Sequence, residues 1–163
     1  SQFYQASKLL KKKGVDVEFC ILGPLSADGN GPDESELSKM SDGITFLGKT
    51  DDVLSEMRKA DCIVLPSYYR EGVPRALLEA LATGRPIIPT DSVGCREVID
   101  NGKNGFLCLP RDSVDLASKM SSFLKLSDRE REIMSLKSRE LAETKFDENL
   151  VISHYKLCIK ELT

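Results

Sequence analysis

The chain has 163 residues, enough for one domain with a hydrophobic core of its own. Hydrophobic residues make up 40% and charged residues 30%, and the net charge of −3 offers no broad basic surface for nucleic acid. The five cysteines are odd in number and too far apart for a metal-binding knuckle, which argues against a disulfide framework or a zinc site. Cysteines of this kind favour a reducing cytosol, so we expect a cytoplasmic protein, and no run of ~18 apolar residues predicts a membrane span.

The first part of the chain alternates helix-like and strand-like segments. Residues 2–13 predict a helix that ends at Gly14, and the apolar run 17–22 predicts a short strand. A loop rich in Gly, Asp and Asn follows. Beyond it, the sequence predicts a helix at 33–40, capped by its first residue, an aspartate, and a strand at 44–48.

The same alternation continues to residue 110, and three helices then end the chain. The predicted elements are, in order, a helix within 51–60, a strand within 61–66, a helix at 74–83, a strand at 86–90, a short helix at 95–100, a last strand at 105–110, and helices at 113–125, 128–145 and 147–162.

Short apolar strands that alternate with helices favour an α/β fold, with a parallel sheet covered by helices on both faces. Right-handed crossovers would make this sheet Rossmann-like and doubly wound. Ligands of such sheets collect beyond the carboxyl ends of the strands. Four loops are predicted at this edge: 23–32, 48–51, 66–73 and 90–95.

Two glutamates flank the start of the helix predicted at 74–83. Glu71 precedes a Gly-Val-Pro turn, and Glu79 lies within the helix, away from the stripe of leucines that would face the core. The free N–H groups at this helix start would suit a phosphate, and carboxylates on either side could accept hydrogen bonds from sugar hydroxyls. In the alternative interpretation, Glu79 pairs with Arg75 at i,i+4 spacing and Glu71 is a solvated loop residue.

The stretch "LPSYYREGVPRALLEALATGRPIIPTDSVGCREVIDNGKNGFLCLP" contains both glutamates. It resembles the C-terminal, nucleotide-binding domain of retaining GT-B glycosyltransferases. More narrowly, it is similar to the bacterial group 1 (family four) enzymes that build capsule, O-antigen and lipid-linked glycans. The resemblance extends from "CILGP" to the C-terminal helices, and the glutamate motif within it is highly specific.

The resemblance implies a role for each glutamate. Glu71 would contact the donor sugar and support charge at the reacting centre, while Glu79 would accept hydrogen bonds from the ribose. It further implies that the donor lies against six other residues: Gly23, Gly48, Lys49, Gly72, Val73 and Pro74.

The sequence departs from the family pattern in two ways. Gly94-Cys95 stands where a Gly-Gly pair is common in the family. The most similar subgroup shares this Gly-Cys pair. The Arg and Lys that grip the diphosphate in the family have no match here. We therefore expect residues 1–163 to form a single nucleotide-sugar-binding domain, with those two residues and the N-terminal acceptor domain outside this chain.

The function implied by the resemblance is donor binding in a retaining glycosyltransferase of polysaccharide biosynthesis. The donor would be a nucleotide sugar, with UDP the favoured nucleotide, and neither a cofactor nor a metal is expected. The expected partners are the N-terminal half of the enzyme and a polyprenyl-diphosphate-linked glycan acceptor, with the full enzyme peripheral on the inner face of the cell membrane. The alternatives are a domain similar to nucleotide-sugar 2-epimerases and a non-enzymatic nucleotide-binding module.

Overall fold

The structure of the chain is a computed structural model that describes residues 2–24, 43–67 and 72–161. The helix predicted at 33–40 lies outside these residues. The described elements are α1 (Gln2–Lys12), β1 (Phe19–Leu22), β2 (Ile44–Gly48), α2 (Val53–Lys59), β3 (Ile63–Leu65), α3 (Arg75–Ala82), β4 (Ile87–Pro89), α4 (Val93–Arg96), α5 (Ser113–Leu124), α6 (Asp128–Lys145) and α7 (Glu148–Glu161).

The four strands form two parallel pairs. β1 pairs with β2, and β3 pairs with β4 in the register Ile63–Ile87, Val64–Ile88 and Leu65–Pro89. Apolar side chains from both pairs meet in one cluster, where Phe19 of β1 packs with Ile88 of β4. The described strands therefore have the parallel α/β organisation that the sequence predicts.

Strand β4 is buried between two layers of helices. Ile87 and Ile88 are 0% and 1% exposed, and as successive strand residues they point to opposite faces of the sheet. Ile87 packs with buried residues of α2 and α3, including Met57 and Leu77. Ile88 packs with buried residues of α1 and α5, including Leu10. Helices thus cover β4 on both faces.

The strand predicted at 105–110 is present only in part. Phe106 and Cys108 donate to the Ile87 and Pro89 carbonyls, each at 3.0 Å. Two separate parallel bridges result, Ile87–Gly105 and Thr90–Cys108, instead of a continuous strand. The reason is Pro89, which has no N–H for the ladder bond that would join the two bridges.

The short helix also differs from the prediction, since α4 spans Val93–Arg96 rather than 95–100. The side chain of Asn104, which is 1% exposed, donates to the Val98 carbonyl at 3.1 Å and accepts from the Asp100 N–H at 2.8 Å. These bonds hold the backbone after α4 in a turn, since they occupy groups that a continuing helix would use.

The long helix α6 is fixed at its start and along its length. Ser127 and Glu130 form a reciprocal capping box at its N-terminus, and these bonds lower the pKa of Glu130. Further along, Arg139 donates to the Ala82 carbonyl at the end of α3. Lys145 donates to the Glu97 carbonyl at the end of α4, at 2.8 Å. One helix therefore binds the C-terminal ends of two others.

Gly105 should be the least replaceable of the glycines in the 98–105 turn. Its φ is +156°, and a Cβ built on it would lie 1.8 Å from the Ile87 carbonyl oxygen. We expect Gly105→Ala to lower the free energy of unfolding by ~3 kcal/mol or more, because the backbone of β4 would have to move. Urea unfolding followed by circular dichroism measures this loss.

Gly102→Ala is the matched control for this prediction. Gly102 also has a positive φ, +85°, but a Cβ there would meet nothing within 4 Å. We expect it to lose only about 1 kcal/mol, the cost of the backbone conformation. Equal losses in the two variants would show that the contact with Ile87 is not what requires glycine at position 105.

Candidate functional site

Two glycines lie together at the carboxyl ends of β1 and β2. The Gly23 N–H donates to the Gly48 carbonyl at 3.0 Å. Their φ values are +149° and +73°, which residues with a Cβ rarely adopt, although a Cβ at either position would meet none of the described residues within 4 Å. The backbone conformation therefore requires glycine, and it leaves bare main chain facing open space. Lys49 follows directly and is exposed.

The N-terminus of α3 lies beyond the carboxyl end of β3. The Pro74 carbonyl accepts hydrogen bonds from Leu77 and Leu78, and no side chain of the described residues caps this first turn. Val73 packs against the core cluster beneath, while Gly72 is exposed and a Cβ there would meet none of the described residues within 4 Å. The first N–H groups of the helix are thus available to an anion.

Glu79 forms the ion pair of the alternative interpretation. The Arg75 Nε lies 2.8 Å from Glu79 Oε1. The Arg75 side chain is 90% exposed and that of Glu79 is 23% exposed, so the pair should add little to stability. It occupies one carboxylate oxygen of Glu79. Glu79 lies away from the buried positions Leu77 and Leu81, as the sequence predicts.

The predicted site residues fall into two groups. Gly23, Gly48 and Lys49 lie at the ends of β1 and β2, and Gly72, Val73, Pro74 and Glu79 lie at and within the start of α3. Glu71 and residues 68–70 are outside the described residues. The catalytic role of Glu71 therefore stays a prediction.

An ion pair at the carboxyl end of β4 was not predicted. Arg96 Nε bonds to Asp91 Oδ1, which raises the pKa of the arginine. No role was predicted for Asp91, although a carboxylate five residues before an arginine across a short helix could have indicated the pair. Arg75 and Arg96, the described arginines near this edge, are therefore each bound to a carboxylate of the chain.

The thiols near the sheet, of which Cys95 and Cys108 are buried and Cys62 is half-buried, are poor candidates for a nucleophile. Burial raises the pKa of Cys62, and it raises that of Cys108 to about 11. Cys95 in α4 is 1% exposed. A nucleophilic cysteine needs an accessible thiolate, so covalent catalysis at these three positions is disfavoured.

Two grooves lie on the other side of the molecule from the predicted site. Their volumes are about 160 and 270 Å³, and both are lined by residues of the 100–104 turn and of α6. This turn precedes Gly105, which pairs with the first residue of β4, so the grooves lie at the amino edge of the strands. Neither groove includes a predicted donor-site residue.

Residues 2–24, 43–67 and 72–161 contain neither a cluster of metal ligands nor a helix suited to cross a membrane. In these ranges, no three His, Cys, Asp or Glu side chains come together as metal ligands would. Nor does any helix there combine the length and apolar character that a membrane crossing requires.

The site residues described above fall within a match to a known protein family. Residues 1–126 match the family described as Glycosyl transferases group 1. The chain belongs to this family. The match covers 126 of the 163 residues, and all the predicted site residues lie within this matched part of the chain.

One relative of this group 1 glycosyltransferase chain is a named enzyme of Campylobacter jejuni. It is the N,N'-diacetylbacillosaminyl-diphospho-undecaprenol alpha-1,3-N-acetylgalactosaminyltransferase, 32% identical over 155 residues. The alignment covers 94% of this chain and 39% of that enzyme. The chain spans about two-fifths of the length of the curated relatives it matches.

Solved glycosyltransferase structures share the fold. A Rickettsia africae glycosyltransferase superposes with a TM-score of 0.84 at 23% identity, covering 98% of this chain and 43% of that chain. Anabaena Alr3699/HepE, in a crystal structure with UDP, superposes with a TM-score of 0.74 at 20% identity, covering 96% and 52%. These similarities confirm the Rossmann-like α/β fold, which is one half of the GT-B arrangement.

Variants at positions 75 and 79 separate the two interpretations of Glu79. If its carboxylate accepts hydrogen bonds from ribose, Glu79→Ala should weaken UDP binding by about 1.5–3 kcal/mol. Arg75→Ala should change it less than about threefold, because the exposed arginine contributes little. Calorimetric titration of UDP measures both effects.

The matched variant is Arg75→Ala, which breaks the same ion pair from the other side. Loss of UDP affinity in Arg75→Ala equal to that in Glu79→Ala would show that Glu79 acts only through Arg75. Neither change removes core volume, so both variants should unfold at nearly the wild-type urea concentration.

Proposed function

We propose that this chain is the donor-binding part of a retaining glycosyltransferase that transfers a sugar from a UDP-sugar to a glycan or lipid-linked acceptor in polysaccharide biosynthesis. The observation that carries the proposal is the N-terminus of α3, beyond the carboxyl end of β3, which no side chain of the described residues caps. Helix N–H groups at such a position suit the diphosphate of a nucleotide sugar. Membership of the group 1 glycosyltransferase family supports the same reading.

UDP is the nucleotide we expect. Anabaena HepE, which shares the fold, was crystallised in complex with UDP. The bare backbone at Gly23 and Gly48 allows close approach of a flat base or a phosphate at the ends of β1 and β2. Exposed Lys49 adds a positive charge beside them.

The proposed chemistry uses electrostatics more than proton transfer. As the bond between the sugar and the diphosphate breaks, negative charge grows on the leaving group, and the N–H groups at the start of α3 would stabilise it. Glu71 would support the positive charge that develops at the anomeric carbon, and Glu79 would orient the ribose. We expect this part of the site to need no metal.

The acceptor is proposed from a relative. The name of the Campylobacter enzyme specifies a diphospho-undecaprenol-linked acceptor. We propose a polyprenyl-diphosphate-linked glycan for this protein, delivered by an N-terminal half at the inner face of the cell membrane. The enzyme would then be a cytoplasmic, peripheral one.

A nucleotide panel tests the proposed donor. At a concentration 100 times its dissociation constant, UDP should raise the melting temperature by about 5–10 °C, because a ligand that binds only the folded chain stabilises it. GDP and ADP should raise it less. No shift with any nucleotide would contradict the proposed donor site. A product inverted at C2 of the sugar, formed from UDP-GlcNAc by the full enzyme, would favour the epimerase alternative.

Glu71→Gln tests the catalytic role in the full enzyme. The amide keeps the shape but loses the negative charge, so turnover should fall about 100-fold or more while UDP affinity stays within about threefold. Steady-state kinetics with donor varied and calorimetry with UDP measure the two quantities. Wild-type turnover in this variant would exclude Glu71 from the active site.

A further inference from the structure

Residues 105–109 form the outer edge of the β3–β4 sheet. The N–H groups of Phe106 and Cys108 point inward and donate to β4. Backbone groups alternate in direction along an extended segment, so the N–H groups of Leu107 and Leu109 point outward. On this side the Gly102 N–H donates to the Gly105 carbonyl at 2.7 Å, in a bridge between Asn101 and Gly105, and beyond that bridge no strand of the described chain pairs with it.

Side chains bind the backbone groups on this outer side. The Leu107 N–H donates to Asn101 Oδ1 at 2.9 Å, and the Leu109 N–H donates to Asp115 Oδ2 at 2.7 Å. The Leu109 carbonyl accepts from Gln2 Nε2 at 3.3 Å. The three side chains come from separate parts of the sequence, namely a turn and two helices.

The edge lies at the surface. Leu109 is 54% exposed, and Asn101 is exposed as well. An exposed edge with free N–H groups and apolar side chains is a template for pairing with another strand. Leu107 and Leu109 would offer such an edge if their N–H groups were free.

We propose that Asn101 and Asp115 close this edge against pairing with the same edge of a second copy of the chain. Two identical edges can pair about a two-fold axis, since each offers the same donors and acceptors to the other. With both outward N–H groups bound at 2.9 and 2.7 Å within the chain, a second copy finds no donor there. The two side chains thus keep the chain monomeric at this edge.

Asp115 also has a second partner, which the test must separate from the proposed one. Its Oδ1 lies 3.6 Å from Lys119 Nζ within α5. Asp115→Asn keeps an oxygen acceptor for Leu109 but loses the charge, whereas Asp115→Ala loses both. Asn101→Asp likewise keeps an acceptor that Asn101→Ala removes.

Amide hydrogen exchange tests the two bonds directly. In the unchanged chain, the outward amides of Leu107 and Leu109 should be protected although they make no bond to β4. Asn101→Ala should speed exchange at Leu107 by about tenfold with little change at Phe106, and Asp115→Ala should do so at Leu109 with little change at Cys108. Unprotected amides in the unchanged chain would overturn the proposal without any variant having to fold.

Sedimentation velocity over a range of concentrations tests the consequence. The double variant Asn101→Ala with Asp115→Ala should self-associate at concentrations where the unchanged chain and the Asn101→Asp, Asp115→Asn pair stay monomeric. A double variant that folds, loses protection at both amides and still sediments as a monomer would overturn the proposal. Association of the pair that keeps the acceptors, and with them the net charge, to the same extent would show that these acceptors do not prevent pairing and would overturn it too.

Discussion

The burial of β4 on both faces is the constraint on which the rest of the chain depends. A strand with no access to water needs hydrogen-bond partners on both edges, because an unpaired backbone group in the interior costs free energy. β4 finds β3 on one edge and residues 105–108 on the other. Parallel pairing then places the carboxyl ends of these segments on one side, and the connection from β3 brings the start of α3 there. The position of the proposed donor site follows from this arrangement.

The elements that the sequence predicts well are those with a strong apolar pattern and clear ends. α3 ends before Gly84 and begins after a proline, and the structure places it within one residue of the prediction at each end. The last strand was harder. The missing N–H of Pro89 was visible in the sequence, but its effect depends on which edge of β4 the nitrogen faces, and only the register with Gly105 determines that. α4 was misplaced for a similar reason, since the Asn104 side chain bonds to backbone six residues earlier.

The location of the candidate site could be predicted from the sequence, but most of the side-chain contacts within it could not. The glycines at 23 and 48 and the start of α3 came from motif and topology, and they lie at strand and helix ends as expected. The ion pairs did not follow from the pattern with the same certainty. Arg75–Glu79 was one of two open interpretations, and Asp91–Arg96 joins residues whose distance depends on how tightly the chain turns into α4. Which side chains pair at a surface edge depends on the local backbone conformation. The periodicity of apolar residues in the sequence does not determine that conformation.

The bonds from α6 to the ends of α3 and α4 have a consequence for how freely the sequence can change. Arg139 and Lys145 lie on a charged, solvent-facing helix, and their exposure alone would suggest that any polar residue serves there. Yet α3 is eight residues long, about 12 Å, so the carbonyl that Arg139 binds lies only that far from the N–H groups proposed to meet the diphosphate. A shift of α6 that broke one bond and kept the other would alter the spacing between the starts of α3 and α4. Selection for catalysis at one edge of the domain would therefore extend to Arg139 at the far end of α3 and to Lys145 beside the end of α4.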